Sequence, residues 1–488
     1  MDAEENPAAK QRDAQAADAR SARIKAYLPW VVACALFMEQ LDSTIVNTAV
    51  PAMAASLHVT PLSLKAISTS YILALAVCIP VSGWMADRFG TRRVFTIAVA
   101  TFTITSVLCG LSLNVPMLVA ARVVQGISAA MMMPVGRLAI VRTFPKSELL
   151  RAMNFVIVPA LIGPLLGPTV GGLIVHWLSW RDIFFVNVPV GLAAQVVIQR
   201  HMPDYRGDAG RPLDVVGLVL FGSGIALLSY LLEVFGEHQI DPTSAGILLL
   251  LSVSLLAAYA WHARQLAYPL LRLALFRIRT FRVAVAGGFI TRLGIGGLPF
   301  LLPLLYQIGM GLPAWQSGLL MMPAALAAMA MKFFSTLLLQ RYGYRRVLLA
   351  NTLMIGVTIA LFGFVSSATP LYWIPLLGLS MGFFNSLQFS SMNTMAYADV
   401  EAADTSMAST IASSLQQLSL SFGLAGGSLI AAGFLGGAPQ TDQAAVTDAI
   451  HRALWTLGAV TVFSSLLFRT LRADDGESVS RGELKPVG

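Results

Sequence analysis

Charge is what this 488-residue chain has least of: Asp, Glu, Lys and Arg together make up 12% of it, about half the share usual in soluble domains. That supply cannot clothe a water-facing surface of this size. Cysteine is scarce as well. Cys34, Cys78 and Cys109 are the only three, and an odd number without paired spacing excludes a disulfide framework and a zinc site. Each lies in an apolar stretch, where a thiol packs as a small hydrophobe. No two of the six histidines stand four apart as a helical ligand pair. A Gly-x-x-x-x-Gly-Lys-Ser/Thr phosphate loop is missing, which argues against direct ATP hydrolysis. The stretch GLSMG, Gly378 to Gly382, has nucleophile-elbow spacing. It sits mid-span, however, and the only later histidine is His451, so the strand-to-helix turn and base that such chemistry needs are wanting. These absences point away from an enzyme, a resident metal or a cofactor. The first 26 residues are polar and mixed in charge, unlike a cleaved signal peptide; the first span reads as an uncleaved anchor behind a mobile or weakly helical tail.

Apolar residues are plentiful, at 56%, and the mean hydropathy is +0.71. Apolar runs of about 20 residues, the length that crosses a bilayer, recur along nearly the whole chain. The expectation is an all-α polytopic membrane protein. Fourteen spans are expected at 28–50, 66–86, 94–112, 117–140, 152–176, 183–200, 214–235, 244–262, 283–308, 316–338, 347–367, 371–393, 407–435 and 452–470.

Most of the 33 Lys and Arg fall on one side of these spans: in both tails and in the loops around 87–93, 141–151, 200–213, 263–282 and 339–346. The other side receives only Lys65, Arg181 and Arg452. By the positive-inside rule both termini are cytoplasmic, which an even number of spans requires. One inner loop, 394–406, breaks the pattern with Asp399, Glu401 and Asp404 and no base. The net charge of +8 is thus spent on orientation and anionic lipid, with no nucleic-acid partner needed. The 263–282 connection, PLLRLALFRIRTFR in its core, is expected to lie along the membrane as an amphipathic segment.

Between spans two and three stands GWMADRFGTRR, Gly83 to Arg93. Gly90 permits a tight turn and Gly83 a close helix approach. Asp87 can cap a helix or pair with the neighbouring bundle, while Arg88 and Arg92 can bind acids or headgroups. A worn copy, LQRYGYRR at 339–346, follows span ten, as an internal repeat of two six-span halves would place it. In span five, GPLLGPTVGG sets Gly163, Gly167 and Gly171 four apart on one face, with Pro164 and Pro168 removing backbone bonds; the result is a bendable, closely packed helix.

The loop at 83–93 resembles the signature loop of the major facilitator superfamily. ARVVQGISAAMMMPVGR (121–137) is similar to its fourth-span motif, with Arg122, Gln125 and Gly126 as the core, and 163–172 to its antiporter motif. LDSTIVNTAVP (41–51) and SWRDIFFVNVPVG (179–191) resemble signatures of the fourteen-span drug:proton antiporters, and MMMPVGRLAIVRTFP, MKFF and SSMNTM most resemble the MdtD-like branch. The resemblance implies a tail at 1–27, a six-helix bundle at 28–200, two inserted helices with the connecting loop at 201–282, a second bundle at 283–470 and a tail at 471–488. It further implies alternating access driven by protons, efflux over uptake, and a monomer in the bacterial inner membrane. The reading is then a proton-coupled antiporter for small molecules, of the multidrug type. Two alternatives stay open: an exporter of small organic anions such as polycarboxylates or their metal chelates, and a non-transporting receptor.

FMEQLDSTIVNTAV, Phe37 to Val50, puts Glu39 and Asp42 inside a span. Three apart, they share a helix face, and facing lipid each would cost several kcal/mol. Counting the helix rise, Asp42 lies ~21 Å from the cytoplasmic end, level with Arg122 in span four. The two form either a permanent structural ion pair or, as intramembrane charges by default do, a functional site, with Asp42 the proton carrier. Glu39 departs from the MdtD-like pattern, which more often has an amide there; it is either a water-facing acid with no role or a second proton-coupling acid that titrates with Asp42 as a pair. Arg292, mid-span in span nine and flanked by glycines, calls for a cavity wall or a buried partner. Arg137 and Lys332, nearer span ends, either snorkel or join that wall. Asn47, Gln125, Asn385, Gln388, Asn393 and Gln417 complete the expected substrate-binding set. Reporter fusions test the topology: the expected outcome is cytoplasmic signal at both termini and in the 263–282 loop, and an external N-terminus would refute the span map.

Overall fold

A computed structural model describes residues 7–207, 212–235, 241–401, 404–436, 438–472 and 475–476, and among them no strand occurs. Most of the C-terminal tail, with Arg481 and Lys485, lies outside the described residues. The first half contains α1 (Pro7–Leu57), α2 (Lys65–Phe89), α3 (Thr91–Gly110), α4 (Val115–Thr143), α5 (Lys146–Trp177), and the short α6 (Asp182–Phe185) leading into α7 (Asn187–His201). An inserted pair follows, α8 (Val215–Phe235) and α9 (Pro242–Gln265). The ninth span is assembled from α10 (Arg279–Arg282), α11 (Gly288–Gly296) and α12 (Leu298–Leu304), and then come α13 (Ala314–Tyr342), α14 (Tyr344–Phe362), α15 (Trp373–Met395), α16 (Thr405–Leu435) and α17 (Gln443–Phe468).

Among the described residues, 12 segments are long and apolar enough by themselves to cross a bilayer. The remaining two of the fourteen spans are α5 and α15, the latter diluted by Asn385, Gln388, Asn393 and its serines. Local chemistry sets the helix starts. Asn114 accepts from the Met117 amide and Asp442 from those of Ala444 and Ala445, supplying partners for orphan donors. At the two copies of the repeat, Gly90 and Gly343 have φ of 90° and 73°. Each ends one helix and starts the next, in a backbone region that side chains avoid.

The two halves repeat one packing scheme. In the first, α1 packs on α5, α2 on α4 and α3 on α7; in the second, α11 packs on α16, α13 on α15 and α14 on α17. Between bundles the contacts are α5 with α13 and α2 with α16, which a pseudo-twofold axis exchanges. The inserted α8 pairs with α9 and touches both α2 and α16. Hydrogen bonds across the seam run from Thr169 to the Gly318 carbonyl (3.3 Å), Gln307 to the Thr48 carbonyl (3.0 Å), the Leu62 amide to Gln440 (3.1 Å) and Ser421 to the Thr69 carbonyl (3.3 Å). They lie in the half of the molecule away from the termini, so the bundles are sealed at that face.

The 263–282 connection departs from expectation. Leu270, Leu271, Leu275 and Phe281 are buried in one apolar cluster with Leu348, Met395 and Phe468. Two of its cations also have protein partners: Arg272 pairs with Asp404 and Arg279 with Asp475, while Thr280 donates to Asp399 at 2.9 Å. The segment is folded onto the second bundle, and two of the acids that broke the charge pattern of the 394–406 loop, Asp399 and Asp404, are its counterparts. Asp214, which accepts from the Gly217 and Leu270 amides (2.7 and 3.0 Å) and meets His262 at 2.8 Å, joins the inserted pair to this segment.

A seam this tight can be wedged. A Cβ on Gly172 would stand 3.0 Å from Trp315 Cα, and overpacking there costs ~1–3 kcal/mol, enough to shift a two-state balance about 5–150-fold. In Gly172→Leu, a cysteine placed at Gln307 is expected to react with impermeant maleimide from the face away from the termini, faster than in the parent. Unchanged labelling would contradict the seal.

Candidate functional site

The polar centre of the first bundle is built from five helices. Asp42 on α1 forms an ion pair with Arg122 on α4, the two side chains 0% and 1% exposed. The other Asp42 oxygen accepts from Asn187 Nδ2 of α7 at 2.8 Å and from Gln125 Nε2 at 3.3 Å. Arg122 donates further, through Nε to the Ile67 carbonyl of α2 at 3.2 Å and to Gln125 Oε1 at 2.7 Å. Ser106 of α3 ties the amides together, receiving Gln125 at 2.8 Å and Asn187 at 3.3 Å. The Tyr71 ring lies under the guanidinium, 4.1 Å from its carbon, a cation–π contact strengthened by desolvation. Gly126 makes the approach possible: a Cβ there would stand 3.0 Å from Ala74 Cβ and 3.1 Å from the Tyr71 carbonyl carbon. Every charge of the pair thus has an opposite charge and neutral donors or acceptors, the condition for keeping ions in a dry interior.

Glu39 sits one turn before Asp42. It is buried, and its Oε2 has no hydrogen-bond partner. The Tyr71 hydroxyl is buried and unpartnered too. Next to this centre, α5 lays its glycines on α1. A Cβ at Gly163 would meet Gln40 Cβ at 2.8 Å, and one at Gly171 the Ile45 carbonyl at 2.6 Å; Gly167 faces Thr44. The opposite side of the same helix, at Pro168, Thr169 and Gly172, meets Gly318, Ala314 and Trp315 of α13. One helix therefore touches both the acid-bearing α1 and the other bundle, with Pro164 and Pro168 inside it.

In the second bundle, Arg292 on α11 stands just past a π-helical stretch, Val283–Gly287, a distortion that often marks functional positions. Its guanidinium lies 5.9 Å from the Phe389 ring centre, close to Met392 and Gly288. No carboxylate among the described residues pairs with it.

Several expected site residues have structural employment. Asn47 accepts from Ser68 at 3.2 Å, and Gln388 bonds Asn351 and Thr352 at 2.7 Å each, joining α14 to α15. Gln125 belongs to the ion-pair centre. Asn385, Arg137 and Lys332 are exposed, while Asn393 and Gln417 are half-buried. Asp87 pairs with Arg142 of its own bundle at 3.0 Å, and not across the seam. Gly83 is corrected: a Cβ there would meet nothing within 4 Å, so no helix presses on it. Gly90 is closely hemmed by Asp204, and Arg92 reaches the Gln199 carbonyl and, by its amide, Asp204; Arg88 is exposed. Sequence reasoning missed Asn187, although it stands in the quoted 179–191 signature, and also Tyr71, Ser106 and Lys65. The last is 1% exposed and donates to the Glu233 carbonyl at the end of α8, at 3.0 Å.

A family model described as Major Facilitator Superfamily matches residues 32–424. A protein of Serratia proteamaculans is 38% identical over 91% of this chain and 93% of its own, and one of Cronobacter sakazakii is 40% identical over 91% and 94%. Both carry the name multidrug resistance protein MdtD. Among solved structures, the bacterial homologue of the human lysosomal transporter Spinster, inward-facing and occupied, superposes with a TM-score of 0.67 at 12% identity, covering 95% of this chain and 99% of that one. The POT family transporter PepTSo gives 0.66 at 14%, with 91% and 96% covered; these likenesses concern the fold.

Breaking a buried ion pair on one side leaves an uncompensated charge, worth ~3–5 kcal/mol. Arg122→Gln is therefore expected to lower the thermal unfolding midpoint in detergent, and the double variant with Asp42→Asn to recover much of the loss. A double variant as unstable as the two losses added would show that the pair is not coupled.

Proposed function

The chain belongs to the Major Facilitator Superfamily, and from that premise we propose that it is a proton-coupled exporter of small molecules, of the multidrug type, in the bacterial cytoplasmic membrane with both termini inside. The observation that carries this reading is the pair of carboxyls on α1, Glu39 and Asp42, buried at mid-span with one cation, Arg122, between the helices of the first bundle. Acids in such a place are retained at a cost that proton handling explains. The glycine-faced α5 supports the same reading, because it connects α1 to α13 and so links a change at the acids to the seam between bundles. The names of the relatives support drugs as substrates, and the chain works as a monomer with protons, substrate and lipid as its partners.

A second reading concerns the substrate. Arg292 faces Phe389 without a carboxylate partner, and a desolvated guanidinium is stabilised by a bound anion, bidentately when that is a carboxylate. Small organic anions, polycarboxylates or their metal chelates among them, are then carried in place of, or beside, lipophilic drugs. Proteoliposomes with an imposed pH gradient test both. Wild-type protein is expected to concentrate a substrate only while the gradient lasts, and a protonophore to abolish it; accumulation indifferent to the gradient refutes proton coupling. Arg292→Ala is expected to weaken anions selectively and Arg292→Lys to restore part. Equal losses for neutral, cationic and anionic compounds would show that Arg292 only braces the bundle.

A further inference from the structure

We propose that Glu39, and not Asp42, carries the exchanged proton, and that Asp42 stays ionised as the fixed half of the ion pair. This deepens the proton-coupled reading above and rests on it. The two carboxyls are one turn apart on α1, but their surroundings are opposite. Asp42 is fully buried with both oxygens occupied: Arg122 holds one, while Asn187 and Gln125 donate to the other. Three donors and a full positive charge all favour the ionised form. Without the Asp42 charge, Arg122 would stand as a bare cation in the bilayer.

Glu39 has none of that support. Its Oε2 is buried without a partner, and among the described residues no cation pairs with it. The groups around it can be named helix by helix. On α1 there is Asp42, a like charge, and on α2 Tyr71, whose hydroxyl is buried and unpartnered. On α4 the cation Arg122 is already neutralised, α7 offers the uncharged Asn187, and α5 meets α1 through glycines. With a protonated Glu39 the cluster is neutral; with an ionised Glu39 it carries an uncompensated negative charge beside Asp42. An isolated carboxylate in such a place takes up its proton instead. Glu39 is 5% exposed where Asp42 is 0% exposed, so the more reachable acid is also the one without an ionic partner.

The exchange step is a plain acid dissociation. The O–H bond of Glu39 breaks, the electron pair stays on the carboxylate, and a water entering from the face of the termini takes the proton. Reprotonation comes from the other face once the seam of α5 with α13 has opened. Asp42 and Arg122 keep their charges throughout and act as positioning residues that hold α1 against α4.

The test has two arms, both on purified full-length protein. In detergent micelles, the pH-difference infrared spectrum of the wild type is expected to show one buried protonated carboxyl that disappears as the pH rises. Glu39→Gln, which mimics the protonated side chain, is expected to lack that band, and Glu39→Asp to shift it. In the second arm ethidium is the probe. Its binding is expected to weaken as the pH falls in the wild type and to become independent of pH in Glu39→Gln, and in proteoliposomes Glu39→Gln is expected to lose all gradient-driven ethidium accumulation. Should Glu39→Gln keep both the carboxyl band and the pH slope, the proton sits elsewhere and the assignment falls. If wild-type protein binds ethidium but its transport ignores the pH gradient, proton coupling itself fails, a result distinct from the first.

Discussion

A carboxylate and a guanidinium that neutralise each other out of reach of water hold the first bundle in register. Asp42 and Arg122 bring α1 and α4 together, Asn187 recruits α7, Ser106 recruits α3, and the Ile67 carbonyl recruits α2. Five helices thus meet at one electrostatic point where nothing else could satisfy the charges. The helices around it are otherwise held by apolar packing, which in a bilayer gives no preference over lipid tails. The pair supplies the directionality that such packing lacks, and it fixes which face of each helix turns inward.

The second bundle repeats the helix arrangement without the ion pair. Its polar contacts at mid-span are neutral, as in the Asn351–Gln388–Thr352 chain, and its cation Arg292 stands apart, beside a π-helical stretch. The ion pairs of Arg272 with Asp404 and of Arg279 with Asp475 lie instead at the face of the termini. Two halves of one pattern have divided the work: one keeps a sealed polar core, the other leaves a lone cation in its interior.

What could be read from the sequence follows the range of the interactions. Span positions, the turn glycines Gly90 and Gly343, and the level placement of Asp42 and Arg122 all follow from local periodicity and helix rise. The role of Asn187 does not, because it depends on α7 returning to a helix 145 positions earlier. The connecting segment misled for the same reason: its arginines alternate with apolar residues as a membrane-surface helix would, and the acids that claim Arg272 and Arg279 lie 132 and 196 positions away. Gly83 misled differently. A glycine in a signature suggests contact, yet the space beside this one is open.

Lys65 bears on how such a protein is made. It is a cation on the side where the charge rule disfavours one, and its ammonium reaches the final turn of α8, 168 positions further along the chain. That acceptor is synthesised later than the second span that carries the amine. In the folded protein the amine is buried against a helix end whose dipole favours it. The inserted pair is in this sense a late-arriving clasp.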